Sequence, residues 1–270
     1  MDRIAVIMSV YRGDEEDKLR EALKSLYAQK TAADIFVQLD GPVSSEVAEL
    51  LQKERREGRI AYLGERKENR GLAASLDELL DEVLGRKYEY IARMDADDIS
   101  LPERFEKQHA FMEAHPDVDV VGGFIEEFAD DGGYRKIVRY PLEHEEMFDF
   151  FKKRVPLAHV TAFFRRTFFE KAGLYPTESP TNEDTLMWMK GFQNGCRFAN
   201  ISEVVVKVRV SPEFFGRRGG IEKAWSDFRD RVRVIRTLGY NFDAYFYAVA
   251  LFFVNVSPGA VKKYLYKRLR

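Results

Sequence analysis

The chain has 270 residues, 45% of them hydrophobic, with 43 Lys and Arg against 45 Asp and Glu and a single cysteine, Cys196. That size and apolar content exclude a disordered chain, and the lone cysteine excludes an intrachain disulfide framework and a cysteine-built zinc site, as suits a reducing compartment. The near-neutral sum conceals an asymmetry: residues 1–204 carry 29 basic and 40 acidic groups, a balance of −11, while residues 205–270 carry 14 and 5, a balance of +9.

Met1-Asp2-Arg3 runs directly into Ile4–Val10, an apolar run too short for a secretory h-region, and no run of 18 apolar residues follows anywhere. A cytoplasmic chain is expected. Ile4–Val10, Ile35–Leu39, Ile60–Leu63 and Tyr88–Met94 read as strands, and Glu15–Ala28, Ser44–Glu57 and Leu72–Leu84 as helices by their 3.6-residue apolar spacing. This alternation predicts a parallel sheet with crossover helices. Asp14 and Ser44 or Ser45 stand where helix caps belong, and Asp40-Gly41-Pro42 stops the second strand. Beyond residue 125 the pattern is mixed. Tyr134–Arg139, Thr161–Phe164 and Val204–Val210 read as strands, and Pro102–Ala114, Glu143–Lys152 and Asp184–Gln193 as helices. One domain over residues 1–210, followed by a helical extension over 211–270, is expected.

Ligands of open α/β sheets bind beyond the carboxyl ends of the strands, which brings Ser9, Tyr11, Asp40 and Asp95 to Asp98 to one crevice. Tyr90 to Met94 is an apolar strand that ends in Asp95-Ala96-Asp97-Asp98. Asp95 and Asp97 project to one side in extended geometry, and two adjacent carboxylates repel unless a cation lies between them. Mn2+ or Mg2+ takes one or two carboxylates and completes its shell with water and phosphate oxygens. The simpler reading is that Asp98 or Ser100 caps the helix that follows. Asn182-Glu183-Asp184 precedes a helical pattern, where a carboxylate either caps the helix or serves as a general base. Trp188, one turn on, offers a stacking surface or fills the core. In Asn69-Arg70-Gly71, Arg70 can meet phosphate, or the tripeptide is simply a turn. No HExxH, G-x-S-x-G, Walker A or dinucleotide fingerprint is present, and no motif supports nucleic acid binding.

Taken together, Ser9-Val10-Tyr11, Gln38-Leu39-Asp40-Gly41, Asn69-Arg70-Gly71, Asp95-Ala96-Asp97-Asp98 and Glu183-Asp184 resemble the family 2 glycosyltransferases of the GT-A fold, over about residues 3–210. The resemblance implies a mostly parallel central sheet with helices on both faces. It implies a nucleoside diphosphate sugar as donor, a UDP-sugar first among them. Ser9 and Tyr11 would lie against base and ribose, Asp40 would accept a hydrogen bond from the base, and Asn69 and Arg70 would sit near base or phosphate. Asp95 and Ala96 would face the ribose side, with Asp97, aided by Asp95, on the metal. Asp184 matches the family's base, which deprotonates the acceptor hydroxyl for an inverting transfer. His159, within Pro156 to Thr161, together with Glu183 and Trp188, would border the pyrophosphate or the acceptor. Asp77 departs from the pattern, standing where many relatives carry Asn.

Arg217-Arg218-Gly219-Gly220, a long helical pattern, the apolar stretch Ala244–Val256 and a last segment with Lys262, Lys263, Lys267, Arg268 and Arg270 resemble the end of bacterial exopolysaccharide, capsule and O-antigen glycosyltransferases of the amylovoran type. That implies a saccharide acceptor linked to polyprenyl diphosphate and a basic extension peripheral on the inner face of the cytoplasmic membrane. The alternative for the extension is a helix folded back on the domain. Two other functions stay open. A sugar nucleotidyltransferase would carry a Gly-rich phosphate loop where Ser9-Val10-Tyr11-Arg12 stands, and a non-catalytic nucleotide- or carbohydrate-binding module would tolerate loss of Asp97 or Asp184.

Overall fold

A computed structural model describes residues 3–178, 182–210 and 221–257. Its first half alternates β1 (Ile4–Tyr11), α1 (Glu16–Tyr27), β2 (Asp34–Asp40), α2 (Ser45–Arg56), β3 (Tyr62–Glu65), α3 (Leu72–Leu84) and β4 (Tyr90–Met94), each within two residues of its expected bounds. β1 pairs in parallel with β2 and β4, and β2 with β3, so the ends of all four strands open on one edge. Successive side chains point to opposite faces: Val6, Met8 and Val10 enter one core with α1 and α2, while Ala5 and Ile7 enter a second with α3. Burial on both faces is why these strands read as nearly unbroken apolar runs.

The second half contains β5 (Ile99–Ser100), α4 (Arg104–Ala114), β6 (Val120–Phe128), β7 (Arg135–Val138), α5 (His144–Phe151), a 3-10 turn (His159–Thr161), β8 (Phe163–Arg165), α6 (Arg166–Ala172), α7 (Glu183–Gln193), β9 (Phe198–Arg209), α8 (Ile221–Leu238) and α9 (Asp243–Val256). The sheet order is β3-β2-β1-β4-β8-β6-β9-β5, with β7 on β6. β8 is antiparallel to both β4 and β6, and β9 is parallel to β6, so β1 to β4, β6 and β9 share one direction. This is a mixed α/β sheet, mostly parallel as expected. β6, its longest unforeseen strand, contains Gly122-Gly123. A Cβ on either would meet the Asn200 side chain at 2.3 Å or Val205 at 2.7 Å, so β9 side chains fill that space instead.

Some local expectations are corrected. The Ser44 hydroxyl accepts from the Val47 N–H and caps α2, but Asp14 does not cap α1; its carboxylate accepts from the Tyr11 N–H at 2.8 Å and closes the turn after β1. Neither Asp98 nor Ser100 caps α4, whose N-cap position is Glu103. Asp98 accepts from the Arg209 N–H, and Ser100, in β5, lies against α1, where its N–H donates to Ser25 and its hydroxyl accepts from Gln29. α8 folds back onto the sheet domain: Val234 enters the second core, Asn182 donates to Asp230 at 2.8 Å and Arg231 donates to the Phe151 carbonyl at 2.6 Å. Arg217, Arg218 and the basic residues 262–270 lie outside the described residues. Among the described residues no helix is long and apolar enough to cross a membrane.

Candidate active site

Asp40, the last residue of β2, is buried and accepts from five donors. Arg66 donates Nε at 3.1 Å and Nη2 at 2.5 Å, Asn69 Nδ2 at 2.8 Å, and the Arg70 and Gly71 N–H groups at 2.7 and 3.0 Å. A carboxylate offers about four lone-pair positions, so this one is fully engaged by the protein. The expectation that Asp40 accepts from a base is therefore restricted: any such bond must share or replace one of these donors. What Asp40 does in the folded chain is hold the Asn69-Arg70-Gly71 loop against the start of α3. Gly41 permits the contact, since it has φ +83° and a Cβ there would sit 2.7 Å from the Asn69 nitrogen. Arg70 extends into solvent, with its Nη1 3.2 Å from Glu78, while Ser9 and Tyr11 are half-buried at the adjoining end of β1.

At the end of β4, Asp95 is paired with the buried Arg93, and Ala96 is buried between the two carboxylates that flank it. Burial, and then Asp95, push Asp97 above the usual carboxylate range. Asp98 is pushed up further by burial and by both of its acidic neighbours. Arg209, at the end of β9, binds this turn from the side: its Nε donates to the Asp97 carbonyl at 3.0 Å and its N–H to Asp98 at 2.8 Å. Its guanidinium also pairs with Glu21 and Asp130 and lies 4.9 Å from the Phe128 ring centre. Among the described residues no cluster of three or more His, Cys, Asp or Glu forms a complete metal cage. The donor chemistry nonetheless fits Mn2+ or Mg2+. Asp95 and Asp97 are hard oxygen donors, their mutual repulsion is relieved by a cation, and such ions keep most of their shell for water and phosphate.

The third part is the first turn of α7. Burial and the adjacent Asp184 raise Glu183 to about 7. Asp184 accepts from the Thr185 N–H at 2.6 Å and stays half-buried, at the positive end of the helix dipole. His159 Nδ1 approaches Glu183 at 4.0 Å, and Nε2 shares a 2.8 Å hydrogen bond with the Tyr175 hydroxyl. Burial, and then Arg93, hold His159 well below its ordinary value, so the approach to Glu183 is between a neutral ring and a carboxyl. Asp77 fixes this corner by accepting from the Tyr175 N–H at 2.7 Å. Trp188 is fully buried, edge-on to His159 at 5.8 Å and against Phe164 and Phe198, and so presents no stacking surface to an acceptor.

Three residues escaped the sequence reading. Arg66 and Arg209 carried no signal, because a basic residue in a loop or at a strand end is ordinary. Arg93 did carry one: a charge inside the apolar run Tyr90 to Met94 demands partners. It pairs with Asp95, and its charge acts on Asp97, Asp98, His159, Tyr175 and Glu183, so it reaches both carboxylate groups.

Comparison with known proteins shows the family. The glycosyl transferase family 2 model matches residues 5–173. The UDP-Gal:alpha-D-GlcNAc-diphosphoundecaprenol beta-1,3-galactosyltransferase of Escherichia coli is 30% identical over 99% of this chain and 96% of its own. The amylovoran biosynthesis glycosyltransferase AmsE of Erwinia amylovora is 31% identical over 86% and 84%. Staphylococcus aureus TarS, solved with UDP-GlcNAc, superposes with a TM-score of 0.60 at 18% identity, covering 96% of this chain and 82% of that one. The mannosyltransferase PcManGT of Pyrobaculum calidifontis, solved with GDP-Man and Mn2+, gives 0.62 at 18% identity over 99% and 80%. The fold, the order of the strand-end motifs and these likenesses lead to one conclusion: the chain belongs to glycosyl transferase family 2 and is a glycosyltransferase enzyme.

Proposed function

We propose that the enzyme transfers a sugar from a UDP-sugar to a hydroxyl of a lipid-linked saccharide, with inversion, in the synthesis of a bacterial surface polysaccharide. The observation that carries this reading is the pair of carboxylate groups that the charge of buried Arg93 reaches, one at the end of β4 and one at the start of α7. The donor class is supported by the TarS complex with UDP-GlcNAc, and the acceptor class by the name of the Escherichia coli relative. The work would be done at the cytoplasmic face of the membrane.

In this reading the Asn69-Arg70-Gly71 loop, held by Asp40, receives the donor together with Ser9 and Tyr11. Asp97, with Asp95, would hold Mn2+ or Mg2+, which supplies charge stabilisation to the departing diphosphate. Arg93 pairs with Asp95 and orients it. Asp184 removes the proton of the acceptor hydroxyl as that oxygen attacks C1 from the face opposite the leaving nucleotide. Glu183 and His159 shape the same corner, with His159 Nδ1 4.0 Å from the Glu183 carboxyl. No covalent nucleophile is required, because one displacement accounts for the chemistry.

The test is a thermal-shift screen of UDP-, GDP- and dTDP-sugars with Mn2+. A UDP-sugar is expected to give the largest upward shift. A larger shift with a GDP- or dTDP-sugar would overturn the donor assignment, and no shift with any of them would count against the reading altogether.

A further inference from the structure

α9 presents apolar side chains on two sides. Ala244 and Ala248 are buried in a small cluster with Ile235 of α8, whereas Phe242, Phe246, Val249, Phe253 and Val256 face solvent. The spacing of four, three, four and three is that of one helical stripe. The exposures are large, 87% for Phe242, 73% for Phe246 and 61% for Phe253, and Trp225 of α8 is 58% exposed. The patch is continuous across the helix pair, for Trp225 meets Phe252 edge-on at 6.1 Å and Phe252 meets Phe253 at 5.8 Å. A run of exposed aromatics of this kind on a water-facing surface marks a contact that the described residues do not supply.

The geometry points to docking of this α8–α9 face on an anionic phospholipid bilayer, with the Phe242, Phe246 and Phe253 stripe set into the headgroup boundary. Length rules out spanning: 14 residues make a helix of about 21 Å, against a hydrocarbon core of about 30 Å. Charge selects the occupant. Arg229, Arg233 and Arg236 are exposed on α8, and Lys153 lies 5.1 Å from the Tyr247 ring centre. The sequence after α9 adds Lys262, Lys263, Lys267, Arg268 and Arg270 with no acid. On the other side of the balance, Asp243 is 3.8 Å from Lys152, Asp227 pairs with Lys223, Glu178 pairs with Arg233, and Glu222 is exposed. A second copy docked on this face would set like charges against one another, whereas an anionic surface complements them. α8 also meets the active site directly, because Asp230 accepts from Asn182 immediately before Glu183. The bilayer-facing pair is thus joined to the helix start that carries the proposed base. The inference deepens the membrane placement of the proposed function; it rests on the side chains of α8 and α9 and on the charge of the sequence that follows, and not on which donor or acceptor is used.

The experiment is flotation of the full chain, without sugar nucleotide, on vesicles of phosphatidylcholine alone and of phosphatidylcholine with phosphatidylglycerol, read together with tryptophan emission. Of the two tryptophans Trp188 is buried, so a blue shift on binding reports Trp225. Binding to the anionic vesicles with a blue shift is expected, and F246E/F253E, both at exposed positions, should weaken it by roughly a hundredfold with an unchanged thermal midpoint. Equal partition of the wild type and F246E/F253E would overturn the proposal. Deletion of residues 258–270 should weaken binding and its salt sensitivity without abolishing it. Complete loss on that deletion, with F246E/F253E binding normally, would assign the membrane contact to the last segment and overturn the role of the stripe. A wild-type dimer that F246E/F253E converts to monomer, with no vesicle binding by either, would give the face to a second copy.

Discussion

Asp184 and Glu183 are neighbours with different surroundings, and that difference sets separate expectations for them. Replacing Asp184 by Asn should reduce turnover by roughly a hundredfold or more while donor affinity stays near normal, the range expected for loss of a general base; near-normal turnover would assign the proton elsewhere. Glu183 is raised to about 7 by burial and Asp184, so its carboxyl is ionised only above that pH. Turnover should rise through about pH 7, and Glu183→Gln should flatten that limb of the rate profile. Asp77 shows the same physics as stability. Its carboxyl rises from 3.8 to about 6, mainly through burial, so the folded chain binds this proton more tightly than the unfolded one does. Stability is then fully present below pH 3.8 and is lost as pH rises through about 6. Asn accepts from the Tyr175 N–H without that loss. Asp77→Asn should therefore gain on the wild type between pH 4 and 7, by at most about 3 kcal/mol and less where solvent reaches the carboxyl, as thermal melts at the two ends of that range would record. The sequence marked Asp77 as a departure from the family; only its contact with Tyr175 explains what the position does.

Among the elements, the first half was legible because its strands are buried on both faces and its helices repeat at 3.6 residues. β6 was not, since Gly122-Gly123 and the acidic pair Glu126 and Glu127 hide a strand whose packing comes from β9. The same limit applied at the site. The residues at the strand ends could be named, but Asp40 turned out to organise a loop, and Trp188 to fill the core, because hydrogen-bond saturation and burial are properties of neighbours distant in sequence. Asp40→Ala should make this loop role visible. It leaves Arg66 with Glu78 as its remaining carboxylate and takes the acceptor from Asn69 and the Arg70 and Gly71 N–H groups, so the chain should lose about 1–3 kcal/mol of stability and donor affinity should fall with it; denaturant melts and donor titration measure the two losses. An unchanged melt would mean that the loop is held by other contacts.

For the whole molecule, the charge asymmetry of the sequence now has a structural counterpart. The acidic first three-quarters form the sheet domain, with its strand-end carboxylates gathered about Arg93. The basic remainder begins within β9, whose Arg209 binds the turn that carries Asp97, and continues into α8, packed beside the start of α7. The two halves of the charge balance meet at the active site, so the remainder is not an appendage to the domain. The account turns on Asp97 and a divalent cation holding the diphosphate of the donor. Calorimetric titration of UDP into the full chain, with Mn2+ and then with the metal chelated, for the wild type and Asp97→Asn, tests this most directly. Mn2+ should strengthen binding at least tenfold in the wild type and not in Asp97→Asn; equal, Mn2+-dependent affinity in the two proteins would overturn the metal assignment.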